Sequence, residues 1–496
     1  MRRWVIALLL TTGGIVAAQS GTLDIAVDQS PVGLDPHVAT AFATFAIIDQ
    51  VYEDLVELNA DLQLEPALAE SWEVSDDGLA YTFQLRSGVK FHNGRELTAD
   101  DVVYSFDRVM AEDTGSPFAS RFSQVESAEA TGDLTVVFHM NAPFAPFLSN
   151  LTDLAIVPRE VVEEHGNLQQ VAVGTGPFVF DEWVPDTSVL LTANPDYYRD
   201  GEPGVQALLF HIVPEATARA AGLRSGTYDF LPDVDAITAQ TLARSPTVEM
   251  LQTDDLAYAL LGLNLERGPL GDPRVRRAIN MATDRGEVVD AVYFGDAVAA
   301  GPLSPALKDW AVPVEEFACY DTDPDAARDL LAEAGYGDGF QMEILTFSRI
   351  KAITDMAQVL QAQYADVGID ASINIEEFGT FVQDWSNSNF DSFASRNGGT
   401  VDPDGYLFRT FHSGGSTNVF NYDNPEVDEL LERGQVTVDQ AERQEIYREV
   451  QQILACEGPI VHVAYATLFS AMRDNVEGFQ QIPTRSLRYL RNVTVE

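Results

Sequence analysis

The sequence predicts an α/β protein assembled from two or three lobes, and three observations carry that reading. At 496 residues the chain exceeds one ordinary hydrophobic core. Its 46% hydrophobic and 22% charged residues are the balance of a folded chain rather than a disordered one. Beyond residue 260, helical and extended patterns alternate, which implies strands that are at least partly parallel and joined by crossover helices. No long linker or internal repeat interrupts the pattern, so the lobes are expected to be built from interleaved segments.

The first eighteen residues stand apart from the rest. Arg2 and Arg3 precede the apolar run Val5–Ile15, and Val16-Ala17-Ala18 then supplies small residues before Gln19. This is the charged, apolar and cleavable order of an export signal, expected to be cut near Ala18/Gln19. The apolar run is too short to span a bilayer, and no cysteine follows it to take a lipid anchor. The mature chain is expected to be exported and soluble, not a lipoprotein. Cys319 and Cys456 are the only cysteines. Export permits a disulfide between them, and two buried thiols are the alternative.

The mature chain opens with a strand at Thr22–Val27 and a helical pattern near Ala41–Glu57. Tyr81–Phe91 alternates apolar and polar residues around Ser87-Gly88, which predicts two short strands. Thr98 with Asp101 three positions later heads the apolar set Val102, Val103, Phe106 and Val109, a capping-box helix start. Strands are predicted at Thr135–Met140 and Ala207–Val213. The later pattern predicts helices at Asp272–Ala282, Asp325–Ala334, Ile350–Val367, Asn424–Gly434 and Gln440–Ala455. Strands are predicted between them at Met342–Thr346, Ile369–Ile375 and Ile460–Val463.

Charge excludes some partners. With 77 acidic against 30 basic residues, the formal net charge is −47. Such a field repels nucleic acid and anionic membranes, because both require positive charge to neutralise phosphates. The acidic residues are spread along the chain and read as a solvated coat.

Catalytic signatures are missing. The seven histidines show no spacing suited to zinc. There is no nucleophile elbow, and Gly174-Thr-Gly-Pro-Phe178 lacks the third glycine of a dinucleotide loop. Counting twelve positions from Asp402 reaches Ser413 rather than a glutamate, so "DPDG" (Asp402–Gly405) is not an EF-hand loop. It reads as a turn into a helix, with Asp404 as its cap. Neither an enzyme nor a cofactor is expected.

Five blocks carry a family resemblance: "LEPALAESWEVSDDGLAYTFQLRSGVKFHNGRELTADDVVYSFDRV" (Leu64–Val109), then Val173–Gly201, Asp272–Pro305, Tyr320–Phe340 and Tyr422–Leu454. In this order they resemble the family 5 extracellular solute-binding proteins, the peptide-, nickel- and opine-type receptors of bacterial ABC importers. The resemblance implies a two-lobed periplasmic-binding-protein-like clamp, class II type, with a small inserted subdomain. It implies lobe one from 19–45, 165–258 and 476–496, the insert from 46–164, and lobe two from 259–475, after a signal at 1–18. It also implies a periplasmic monomer that closes on a small solute, most simply a peptide or peptide-like molecule, and then meets membrane permease subunits. An oligosaccharide, opine, acidic compound or metal chelate is the alternative solute.

The resemblance points to ligand residues too. Arg349 stands near the place where dipeptide-binding members hold the ligand carboxylate. Matching on Asp402-Pro403, Gly399 falls where such members carry the aspartate for the peptide ammonium, and Arg396 falls where they carry a tryptophan. Loss of that acid beside an arginine weakens the case for a free ammonium and favours an acidic, sugar-like or amino-blocked solute. Asp402 or Asp404 could take over the ammonium. Trp385, Tyr406 and Asn418 are further candidates for the cleft walls.

Overall fold

Two long antiparallel strands, Val248–Leu263 and Ile460–Arg473, form the spine of the molecule. The computed structural model describes residues 20–496, and the segment read as an export signal lies outside them. From Tyr258 to Leu263 the first of these strands is a continuous buried apolar run, as expected of a strand covered on both faces. Pairing runs from Val248↔Arg473 to Gly262↔Ile460, with register shifts between Asp254 and Tyr258 and between Ala259 and Leu260. A bulge of this kind bends the strand and leaves residues outside the ladder.

A wing of sheet extends from each side of the spine. Beside Ile460–Arg473 come Phe230–Val234, Ser20–Val27, Val205–Ile212, Ser188–Ala193 and Phe178–Val184; beside Val248–Leu263 come Ser392–Asn397, Phe340–Phe347 and Ile369–Glu376. In the first wing, Ser20–Val27 is parallel to both of its neighbours. In the second, Phe340–Phe347 is parallel to both of its own. Phe230–Val234 pairs antiparallel with the far end of Ile460–Arg473, whereas Ser392–Asn397 pairs antiparallel with the far end of Val248–Leu263. The parallel strands of the two wings therefore run in opposite senses, and their carboxyl ends converge at the level of the bulge.

Each wing has its own apolar packing. Leu23, Ile25, Phe178, Phe210 and Phe230 anchor one cluster. Across the spine, Leu261, Ile344, Met356 and Tyr364 anchor a second, and Phe393, Tyr406, Phe420 and Tyr447 a third. A separate four-stranded antiparallel sheet, in the order Ala69–Val74, Ala80–Leu85, Thr135–Met140, Val125–Gly132, packs on helix Ala99–Met110. Its aromatic core of Tyr81, Phe83, Phe138 and Phe147 meets edge-on or tilted.

Three expectations change. The helix expected near Ala41–Glu57 covers only Phe42–Val51, and Glu57 belongs to the short strand Val56–Leu58. The chain leaves the helix to bury Glu53, Asp54 and Glu57, which accept hydrogen bonds from Tyr197, Arg488 and Arg491 of distant segments. Of the strand pair expected at Tyr81–Phe91, only Ala80–Leu85 forms, with Ala69–Val74 and Thr135–Met140 as its neighbours. Val89 and Phe91 are buried in a loop that turns at Gly88, whose φ is 75°. Finally, the strand expected at Ile460–Val463 continues to Arg473. The capping-box start holds: helix Ala99–Met110 opens with the Asp101 carboxylate accepting the Thr98 N–H at 2.9 Å.

Candidate functional site

Parallel strands meet ligands at their carboxyl ends, beyond the ladder, where backbone and loop groups are left for other partners. Here two such sets of ends converge. Val27 is followed by Asp28, and Asp233 lies at the end of Phe230–Val234. On the other wing, Arg349 follows Phe340–Phe347, and Arg396 with Asn397 ends Ser392–Asn397.

Asp255, in the bulge between them, is the floor. Its buried carboxylate pairs with Arg396 from one wing and receives Arg485 Nη2 at 2.7 Å from the C-terminal segment. It also accepts the Ala257 N–H at 3.0 Å, which holds the bulge in shape. Arg485 Nη1 lies 3.8 Å from Asp233, and its guanidinium lies 5.4 Å from the ring of Phe42. Alongside, a groove of about 460 Å³ is lined by Asp28, Ser30, Val32, Trp183, Asp186 and Ile212 among others. Trp183 Nε1 donates to Ser30 Oγ at 3.2 Å, fixing one wall of the groove. Among the described residues no cluster of three His, Cys, Asp or Glu side chains is arranged to hold a metal ion.

The residues singled out from the sequence divide into two groups. Arg349 is exposed in the turn after its strand, with its guanidinium 5.1 Å from the ring of Phe378. Arg396 is half-buried, and Trp385 packs half-buried against the cluster of Phe381 and Phe393. Gly399 lies against the bulge: a Cβ there would stand 2.1 Å from the Leu256 carbonyl oxygen. No side chain fits at that position without moving backbone.

The second group lies inside the fold. Asp402 is buried and takes the Arg443 guanidinium in a fork, at 2.7 and 2.6 Å. It also caps helix Pro403–Phe411 by accepting the Asp404 N–H at 2.9 Å, so the cap is Asp402 and not Asp404. Asp404, buried in the first turn, accepts from Gln435 Nε2 at 3.2 Å and from the Tyr447 hydroxyl at 3.4 Å. Tyr406 is buried, with its hydroxyl 2.7 Å from His462 Nε2. Burial and nearby Arg285 hold that imidazole down at about 3, so it is neutral. Asn418 closes a turn, donating to the Tyr422 carbonyl at 2.7 Å and accepting its N–H at 3.1 Å. Cys319 and Cys456 are joined in a disulfide.

Asp404 carries a pH signature. Burial, with Asp402 adding, pushes its carboxyl up to about 7. A folded-state value above the unfolded one means the folded chain holds the proton longer, so its contribution is lost as pH rises from about 4 through 7. The D404N variant should therefore gain ~1–3 kcal/mol relative to the parent between pH 4 and pH 8. Urea midpoints at the two pH values check this, and an unchanged difference would refute it.

Sequence reasoning missed Asp255, Arg485 and the Trp183 groove. Asp255 carried a signal, as a carboxylate placed just before the fully apolar stretch Ala257–Leu263. Arg485 carried none, because its role depends on where the C-terminal segment returns.

The family model for bacterial extracellular solute-binding proteins, family 5 middle, matches residues 63–418. Heme-binding protein A of Haemophilus influenzae is 31% identical, covering 94% of this chain and 91% of that protein. Probable di/tripeptide-binding protein 5 of Pseudomonas aeruginosa is 32% identical, covering 94% of each. The solved structure of HbpA2 from Haemophilus parasuis has a TM-score of 0.87 at 29% identity, covering 96% of this chain and all of that one.

Proposed function

The chain belongs to family 5 of the bacterial extracellular solute-binding proteins, non-enzymatic receptors of ABC importers, and from that membership we propose that its solute is a short peptide or peptide-like molecule. The solute is caught between the converging strand ends, and the closed, loaded form is what the membrane permease engages. The observation that carries this reading is Arg349: an exposed guanidinium at a carboxyl strand end, with no ion pair among the described residues. A guanidinium offers two parallel donors to a carboxylate, which suits the C-terminus of a peptide. The di/tripeptide-binding relative supports the peptide class.

The lobes of this receptor follow the division expected from the sequence: 19–45, 165–258 and 476–496 against 259–475, with 46–164 inserted. The bulge at Asp254–Tyr258 supports the first crossover, at 258/259. The protein works as a periplasmic monomer after removal of residues 1–18, without a lipid anchor. Trp385 and the backbone at Gly399 line the cleft beside Arg349 and Arg396, while Asp402, Asp404, Tyr406 and Asn418 support it from within.

The test is calorimetric titration with N-acetyl-dialanine and its C-terminal amide. Arg349→Ala should weaken the free acid by about 10- to 100-fold and leave the amide unchanged. Equal affinity of parent and variant for the acid would remove Arg349 from the site.

A further inference from the structure

Given a peptide-like solute in this cleft, we infer that it carries a second carboxylate, taken by Arg396 and Arg485 together on the cleft floor. Three features point there. First, the two guanidiniums share one buried carboxylate, Asp255. Each commits one terminal nitrogen to it. Among the described residues, Nε and Nη1 of Arg396 and Nε of Arg485 have no hydrogen-bond partner, and Arg485 Nη1 has only the distant Asp233 oxygen at 3.8 Å. Neither side chain is closed off, with 32% of Arg396 and 27% of Arg485 exposed. A guanidinium in partial contact with water, with half of its fork open, is a ready partner for a planar anion.

Second, the two come from different parts of the fold. Arg396 stands on a strand of the second wing, and Arg485 on the segment that returns after Ile460–Arg473 beside Asp233 of the first. An anion bonded to both gains its full interaction only where the wings are brought to one spacing. That is the differential affinity a closing receptor requires.

Third, the neighbouring acids do not offer a good seat for a cation. Asp255, the acid nearest both guanidiniums, is already shared between them, and Asp233 stands 3.8 Å from Arg485 with its side chain largely in water. Gly399, also at the bulge, admits no side chain, because the Leu256 carbonyl occupies the space. A free ammonium on the floor would face two guanidiniums at short range. The solute class is accordingly a peptide-like dicarboxylate, with its amino end blocked by, or exchanged for, an acid.

Three probes separate the possibilities: dialanine, N-acetyl-dialanine and N-succinyl-dialanine, titrated into the full mature chain and into Arg396→Gln, Arg396→Lys and Arg485→Gln. The succinyl compound should bind the parent at least about tenfold more tightly than the acetyl compound. Arg396→Gln and Arg485→Gln should each erase that advantage, so that succinyl and acetyl compounds bind either variant within about threefold of one another, and Arg396→Lys should retain part of it. Equal binding of acetyl and succinyl compounds overturns the inference, as does an advantage that survives both glutamine variants, or preference for dialanine. If no peptide binds the parent, the peptide reading itself fails. The anion site then stands or falls on glutarate, which should raise the melting temperature of the parent but not of Arg396→Gln. No shift with glutarate overturns the site as well.

Discussion

Replacing Arg443 with methionine is expected to cost about 3–5 kcal/mol of folding stability. Arg443 is buried on helix Gln440–Glu457 and forks onto Asp402, which is buried too. Its Nε donates to the Gly434 carbonyl at 2.8 Å, and its guanidinium lies 5.3 Å from the ring of Trp310 and 5.2 Å from that of Tyr447. Methionine keeps much of the stem volume but leaves the Asp402 carboxylate buried and unpaired beside Asp404, and removing one partner is what makes such pairs expensive to break. The D402N/R443M double variant should recover much of the loss, because asparagine still caps helix Pro403–Phe411 and no charge is stranded. Lysine at 443 should rescue poorly, since it cannot supply the fork. Urea titration followed by tryptophan fluorescence reads all three. A loss below about 1 kcal/mol in R443M would show that the pair contributes little.

Substituting alanine for both Cys319 and Cys456 is expected to lower stability by about 4–5 kcal/mol in the chain-entropy account. The two residues are 137 positions apart, so the bond closes a long loop in the unfolded chain. In the folded chain it pins the turn around Val312, Phe317 and Tyr320 to the end of helix Gln440–Glu457, where Ala455 completes a small apolar cluster. Hydrogen exchange should quicken first in that turn. A urea midpoint that is the same with and without reductant would contradict the expectation.

Much of the architecture was legible because it is local. Helices at Pro273–Ala282, Pro425–Val436 and Gln440–Glu457 begin at Asp272, Asn424 and Asp439, whose side chains accept backbone N–H groups of the first turn. Strands Phe340–Phe347 and Ile369–Glu376 declare themselves by β-branched and apolar runs between turns. What stayed hidden is long-range. Val248–Leu263 has acids in its middle and becomes a strand only because Ile460–Arg473 pairs with it. The site divides in the same way. Arg349 and Arg396 could be picked out only through the family resemblance, whereas Asp402 and Asp404 look like free acids in sequence and are claimed by Arg443, Gln435 and Tyr447 in space. Gly399 reads as a missing acid, and the structure supplies its reason in the Leu256 backbone.

The most direct test is to identify what the receptor carries. Protein isolated from its own cell envelope without denaturation, then unfolded, should release a small molecule for mass spectrometry. About one molecule per chain is expected, a peptide-like compound with two acid groups and no free ammonium. Release of mixed peptides with free amino termini would contradict it.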